Sequence, residues 1–237
     1  MRLAFFALIA TLLPFTASCG DAAKYTTAHP MKIGIIGTGE IGGALARHWS
    51  AAGHQLVISS RHPEQLQAFA KKLGPNVKVG TPREAAAFGD VVMMAVPYGA
   101  LPQVGRDYAA ELRGKVVLDA GNPYPSRDGD MAVRDRQRGT GVASAEYLSG
   151  TRLVRAFNAI NSGPLERDAF RKPERLGIPL AADDAEAMKI AVQLVTDAGF
   201  DPVPVGKLAR AREFDYGTPV YVRGMTAAEL RKALKLQ

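Results

Sequence analysis

The stretch "GTGEIG" sets Gly37, Gly39 and Gly42 in the order G-x-G-x-x-G. Glycines at that spacing can hold a phosphate ester. The first permits a tight strand-to-helix turn, the second lets backbone approach a pyrophosphate, and the third lets the next helix pack on the strand. Thr38, Glu40 and Ile41 share this turn, and the helix opening near Glu40 points free N–H groups and its positive dipole end at the phosphates. Roughly twenty residues on, where a chain selective for NAD carries a carboxylate for the adenosine ribose, "VISSRHPEQL" supplies Ser59, Ser60 and Arg61. A carboxylate would repel a 2′-phosphate. Hydroxyls donate to it, and a guanidinium can pair with it and lie against the adenine face. The pattern predicts a preference for NADP over NAD. Glu64 could supply a carboxylate, but it follows Pro63 inside the next helix, where its reach is poor.

Ligands of open parallel sheets bind outside the carboxyl ends of the strands. The residues after each apolar run are therefore the next candidates. "AVPYG" offers Val96 and Pro97 to line a dinucleotide and Tyr98 to close over it; "DAGNPYP" offers Asn122 and Tyr124; "RAFNAINS" offers Asn158, Asn161 and Ser162. Turn capping is the competing role for each polar residue. No histidine falls at a predicted strand end in the second half, and no Ser-x-x-x-Lys or Tyr-x-x-x-Lys pair stands where a carbonyl reductase needs a proton donor. Hydride transfer to a ketone needs a positioned acid or base. A flavin-like ring takes up charge and proton itself and asks the protein mainly for alignment. No residue is assigned as a catalytic acid or base, and the pattern is that of an NADPH-to-flavin reductase.

Short β-branched runs alternate with amphipathic stretches to position these residues. "KIGIIG", "HQLVISS", "NVKVG", "DVVMMAVP", "KVVLDAGNP", "TRLVRAFNAI", "IPLAADD" and "DPVPVG" read as strands. Helices are expected after the glycine turn (Ile41, Ala44, Leu45, His48 and Trp49 on one stripe), from Pro63 to Gly74, after Thr81, from Leu101 to Leu112, and from Asp184 to Ala198. A last helix starts at Ala227 behind the capping box Thr226 to Glu229. This alternation predicts a doubly wound α/β fold with a mainly parallel sheet and a short C-terminal helical extension. "SRDGDMAVRDRQRGTG" interrupts it as a solvated helix with loop, or as a flap over the site.

The chain has 237 residues and a net charge of +7, of which Arg2, Asp21 and Lys24 supply +1. The charge is spread without a basic block, which suits a small anionic ligand better than nucleic acid. Cys19 is the only cysteine, so thiolate metal sites and cysteine nucleophiles are excluded beyond it. His48, His54 and His62 match no metal spacing and read as surface or helix-end imidazoles; no metal site is expected. "MRLAFFALIATLLPFTASCG" is laid out as a secretory leader, with Cys19 as a lipidation site that would tether the chain to a membrane. The competing reading starts translation at Met31, in the cytoplasm. Residues 31–237 are then a single nucleotide-binding domain, and residues 1–30 a leader or a misplaced extension.

The stretches "KIGIIGTGEIGGALARHWSAAGHQLVISSR", "AVPYGALPQV" and "AADDAEAMKIAVQLVTDAGFDPVPVGKLARAREF" resemble the NADP reductases that use the 5-deazaflavin coenzyme factor 420. They are also similar to the NADPH-binding domain of membrane ferric reductases that pass hydride to FAD. The likeness runs over nearly all of Met31 to Phe214. It implies a Rossmann fold, a homodimer, and NADP(H) exchanging hydride with a deazaflavin, FMN or FAD. It places Thr38, Gly39, Glu40 and Ile41 on the pyrophosphate, Ser60 and Arg61 on the 2′-phosphate, Val96 and Pro97 beside the ribose and nicotinamide, and Ala156 beneath the ring. Two departures stand out. Gln65 replaces a lysine that archaeal members use on the 2′-phosphate, and "DYGTPVYVRGMTAAELRKAL" replaces a short C-terminal stretch. An imine reductase of the pyrroline-5-carboxylate reductase type is the alternative enzyme, although that class adds a long all-helical region after the dinucleotide domain. A non-catalytic NADP(H) sensor is the alternative outside catalysis.

Overall fold

The computed structural model describes residues 29–236. Strands β1 (Lys32–Ile36), β2 (Gln55–Ser59), β3 (Val77–Gly80), β4 (Val91–Met94), β5 (Val116–Asp119), β6 (Arg152–Arg155), β7 (Gly177–Ala182) and β8 (Asp201–Gly206) form one sheet in the order β3-β2-β1-β4-β5-β6-β7-β8. Each neighbouring pair is parallel except β6 with β7. Strand order reverses between β1 and β4, which opens the crevice where an α/β sheet binds its ligand. The helices are α1 (Glu40–Ala51), α2 (Gln67–Leu73), α3 (Pro82–Phe88), α4 (Leu101–Asp107), α5 (Ala109–Leu112), α6 (Pro125–Arg138), α7 (Thr140–Tyr147), α8 (Ser162–Arg167), α9 (Ala185–Asp197) and α10 (Ala227–Ala233).

The near-continuous apolar strands are explained by cover on both faces. On one face Ile33, Ile35, Ile58, Met93, Leu118 and Val154 pack with Leu45 and Trp49 of α1 and Leu194 of α9. On the other, Val57, Val92, Met94, Val117 and Leu153 meet Ala85, Ala86, Leu101 and Leu148. Each fully buried aliphatic side chain contributes about 1.5–3 kcal/mol. Trp49 Nε1 also donates to the Leu194 carbonyl at 2.9 Å, tying α1 to α9. Thr81 caps α3 and Glu84 completes a box there, while the box at Thr226/Glu229 forms as expected; the backbone and hydroxyl of Thr81 hold the Glu84 carboxyl below its usual pKa.

Several expectations change. The helix from Pro63 opens as a 3-10 turn, Pro63–Leu66, before α2. The helix over Leu101–Leu112 breaks at Tyr108, whose φ of −117° and ψ of 19° leave the helical region. The mixed-charge stretch is ordered into α6 and α7, with a bend at Gly129 (φ 58°). It is not simply a solvated helix and loop, because Asp135 is fully buried and accepts from Tyr147 Oη at 2.8 Å and Arg134 Nε at 3.0 Å. His54 is not a surface imidazole. It is buried, with Nδ1 accepting from the Met31 backbone and Nε2 3.1 Å from Asp197. Beyond β6 the chain adds β7 and β8 to the same sheet, and Val203, Val205, Phe214 and Leu230 form a further core around them. The leader with Cys19 lies outside the described residues apart from His29 and Pro30.

Candidate functional site

The glycine turn joins β1 to α1 and is latched to β2. The N–H groups of Gly37 and Thr38 and the Thr38 hydroxyl all donate to the Ser59 carbonyl, at 3.1, 3.0 and 3.0 Å. Gly37 has a φ of 97°, which a side chain would strain. A Cβ on Gly42 would lie 2.0 Å from the Gly37 carbonyl oxygen, so helix and turn close only on glycine. Gly39 differs from both: its φ of −85° is ordinary, and a Cβ there would meet nothing within 4 Å. Neither conformation nor packing asks for glycine at that place, at the N-cap of α1. The space beside it is open to a ligand.

At the end of β2 the three polar residues part company. Ser59 is fully buried and its hydroxyl donates to the Ile35 carbonyl at 2.8 Å, so the expectation that it donates to a ligand is corrected. Strand alternation turns it inward, and only its carbonyl serves the turn. The Ser60 hydroxyl accepts from His62 N at 3.0 Å, which leaves its own hydrogen available. Arg61 is exposed and, among the described residues, has no carboxylate partner, while Glu64 sits 3.4 Å from His62. Gln65 is exposed on the 3-10 turn.

A cleft of about 300 Å³ continues from the turn across the strand ends, lined by Glu40, Ile41, Val96, Pro97, Asn122, Tyr124, Arg127, Asn161, Ser162 and Tyr221 among others. Glu40 offers its backbone rather than its side chain, since its carboxylate accepts from Ser162 Oγ at 2.7 Å. Asn122 Nδ2 donates to the Asn158 carbonyl at 2.8 Å, and its Oδ1 is buried on the cleft wall with no partner. Three expected residues are elsewhere. Ala156 continues the β6 ladder through Ala156 N to Asp119 O and is wholly buried in the core, so Phe157, at a φ of 61°, lines the cleft in its place. Tyr98 is fully buried against Tyr147 and lies 3.4 Å from Asp135, so it does not close over the cleft. Asn158 is buried and donates to Asp215 at 3.1 Å.

The far end of the cleft holds a hydroxyl pair, Tyr124 Oη and Tyr221 Oη, 2.5 Å apart. Burial and the Tyr124 bond raise the Tyr221 pKa, so Tyr221 stays a neutral hydrogen-bonding group. Arg127 lies over the Tyr124 ring at 5.0 Å and is held by Asp128. Burial alone would raise the Asp128 pKa, but bonds from Arg127 and from the N–H groups of Tyr124 and Gly99 bring it below its usual value.

A buried ion network ties the strand ends to Asp215, in the segment that leads to Tyr221. Arg155 on β6, fully buried, donates to Asp119 Oδ2, the Gly121 carbonyl and Asp215 Oδ1, each at 2.8 Å. Burial opposes its charge, and the two carboxylates outweigh that, raising its pKa. Burial raises the Asp215 pKa against the pull of Arg155. Sequence reasoning missed Arg127, Tyr216 and Tyr221. The available signal was the charge of Asp119 and Arg155 inside otherwise apolar strands. Among the described residues no three His, Cys, Asp or Glu side chains group to hold a metal.

A reversed strand order with a glycine turn at its crevice defines a doubly wound dinucleotide-binding protein. Residues 32–123 match the family described as NADP oxidoreductase, coenzyme F420-dependent. The F420-dependent NADP reductase of Methanothermobacter thermautotrophicus is 32% identical over 206 residues, covering 81% of this chain and 88% of that protein. This chain belongs to that family. Metalloreductase STEAP3 of Rattus norvegicus is 28% identical over 208 residues, 84% of this chain but 38% of that longer one. A crystal structure of a hypothetical protein from Sinorhizobium meliloti superposes with a TM-score of 0.72 at 26% identity, over 84% of this chain and 96% of that one.

Proposed function

We propose that this chain is an NADPH-dependent oxidoreductase moving a hydride between NADP(H) and the ring of a flavin or deazaflavin. The carrying observation is Gly39, a glycine whose only evident purpose is the approach of a ligand to the start of α1. NADPH supplies the hydride when bound. The backbone N–H groups of the turn and of Glu40 and Ile41 hold the pyrophosphate, and Ser60 and Arg61 hold the 2′-phosphate. Val96 and Pro97 flank the nicotinamide side, and Asn122 Oδ1 is free to accept an amide N–H. The Tyr124–Tyr221 pair walls the acceptor end without supplying a charged acid.

Family membership favours this reading over imine reduction, and so does the segment beyond Ile160, which extends the sheet instead of forming an all-helical region. We further propose that residues 31–237 act as one unit and assemble as a homodimer, for which light scattering is the test. For the activity, calorimetry with NADPH and NADH, followed by anaerobic turnover with FMN, FAD, the deazaflavin and a cyclic imine, should show NADPH bound more tightly and oxidised by a ring acceptor. Preference for NADH, or turnover of the imine alone, would reject it.

A further inference from the structure

Six arginines stand on α6 and on the 3-10 turn Leu208–Glu213: Arg127, Arg134, Arg136, Arg138, Arg210 and Arg212. Four are ion-paired, Arg127 with Asp128, Arg134 with Asp135, Arg138 with Glu146 and Arg210 with Glu213. Arg136 and Arg212 have no carboxylate partner among the described residues. Arg212 makes one long bond, 3.5 Å, to the Gln137 carbonyl, and Arg136 rests on the Tyr216 ring at 4.6 Å. Both line a single cavity of about 370 Å³ with Thr140, Asp215 and Tyr216. Asp215 also lines the cavity: its Oδ1 is taken by the buried Arg155 and by Asn158 and its Oδ2 has no hydrogen-bond partner, so one carboxylate, itself paired with Arg155, faces two guanidiniums. The cavity is thus a cationic hollow beside a polar wall.

Its position gives it a use. Tyr216 lines this cavity, and its ring contacts those of Tyr124 at 4.9 Å and Tyr221 at 5.4 Å between centroids, edge to face. Tyr124 and Tyr221 in turn line the nucleotide cleft. One layer of three tyrosines therefore separates the acceptor end of the cleft from the two unpaired guanidiniums. We infer that the cavity is a subsite for a phosphate-bearing tail on the hydride acceptor, so that a ring seated against Tyr124 and Tyr221 passes its tail over Tyr216 to Arg136 and Arg212. Guanidinium is suited to phosphate through paired N–H donors. The inference rests on the ring-acceptor reading above and adds a substrate class: phosphorylated rings over neutral ones.

Riboflavin and FMN differ only by the phosphate and serve as probes. Quenching of their fluorescence is measured with the full chain saturated in NADP⁺, which requires no turnover. FMN should bind about ten-fold more tightly than riboflavin, the size of one charge-assisted contact. The double variant Arg136→Gln, Arg212→Gln should bring FMN to the riboflavin level while leaving riboflavin binding, NADPH binding and the melting temperature unchanged. Equal binding of FMN and riboflavin by the unaltered protein overturns the subsite alone, as does equal weakening of both flavins in the variant. Failure of both flavins to bind while NADPH still does overturns the flavin part of the ring-acceptor reading and the subsite together.

Discussion

The phosphate end of the cleft and its acceptor end are built in opposite ways. The first is made of backbone from a short span of chain: the turn at Gly37 to Gly42, latched by the Ser59 carbonyl, with Ser60 and Arg61 at the next strand end. The second is made of side chains from separate stretches, Tyr124 and Arg127 at the start of α6 and Tyr216 and Tyr221 beyond β8, joined through Arg155 to Asp119 and Asp215. Cofactor binding thereby rests on local geometry. The far end of the cleft is instead tied together by one long-range ion network, Arg155 with Asp119 and Asp215.

The largest effect that would break this contrast is expected at Arg155. Arg155→Met strands two carboxylates in the interior and should cost about 3–5 kcal/mol in urea unfolding, with NADPH affinity of the remaining folded protein retained. A loss below about 1 kcal/mol would mean that the network does not hold the segments of the far end together. The two glycines of the turn sharpen the contrast next. Gly42→Ala forces a methyl onto the Gly37 carbonyl and should cost about 1–3 kcal/mol of stability. Gly39→Ala should stay within about 0.5 kcal/mol of the parent in the same unfolding measurement and still weaken NADPH binding by calorimetry. Matching stabilities for the two would remove the case for a ligand at Gly39. Arg61→Ala should weaken NADPH by about 1–3 kcal/mol and leave NADH nearly unchanged; equal losses for both nucleotides would dismiss the 2′-phosphate assignment. Last, and without effect on the nucleotide, is Thr81→Ala, which removes a helix cap remote from the cleft. It should lower stability by about 1 kcal/mol with nucleotide affinity intact, and serves as the control for the other four.

Much of the architecture was legible in the chain. The strands, the cap at Thr81 and the capping box at Thr226 follow from patterns spanning a few residues, and the structure contains them. The antiparallel turn into β7 was not visible, because it depends on which neighbour Ala181 and Ala182 pair with across the sheet. The break at Tyr108 was missed because it is a single departure in φ and ψ within a helical pattern.

By itself the sequence determined the glycine turn, the two-sided apolar sheet and the missing acid after β2, because backbone sterics and burial periodicity act over short spans. Only the tertiary structure decided that Ser59 faces the Ile35 carbonyl, that Ala156 is sealed in the core while Phe157 meets the cleft, and that Tyr221 comes to within 2.5 Å of Tyr124. Those outcomes depend on strand register and on a charge network spanning distant positions, neither of which any short window of residues specifies.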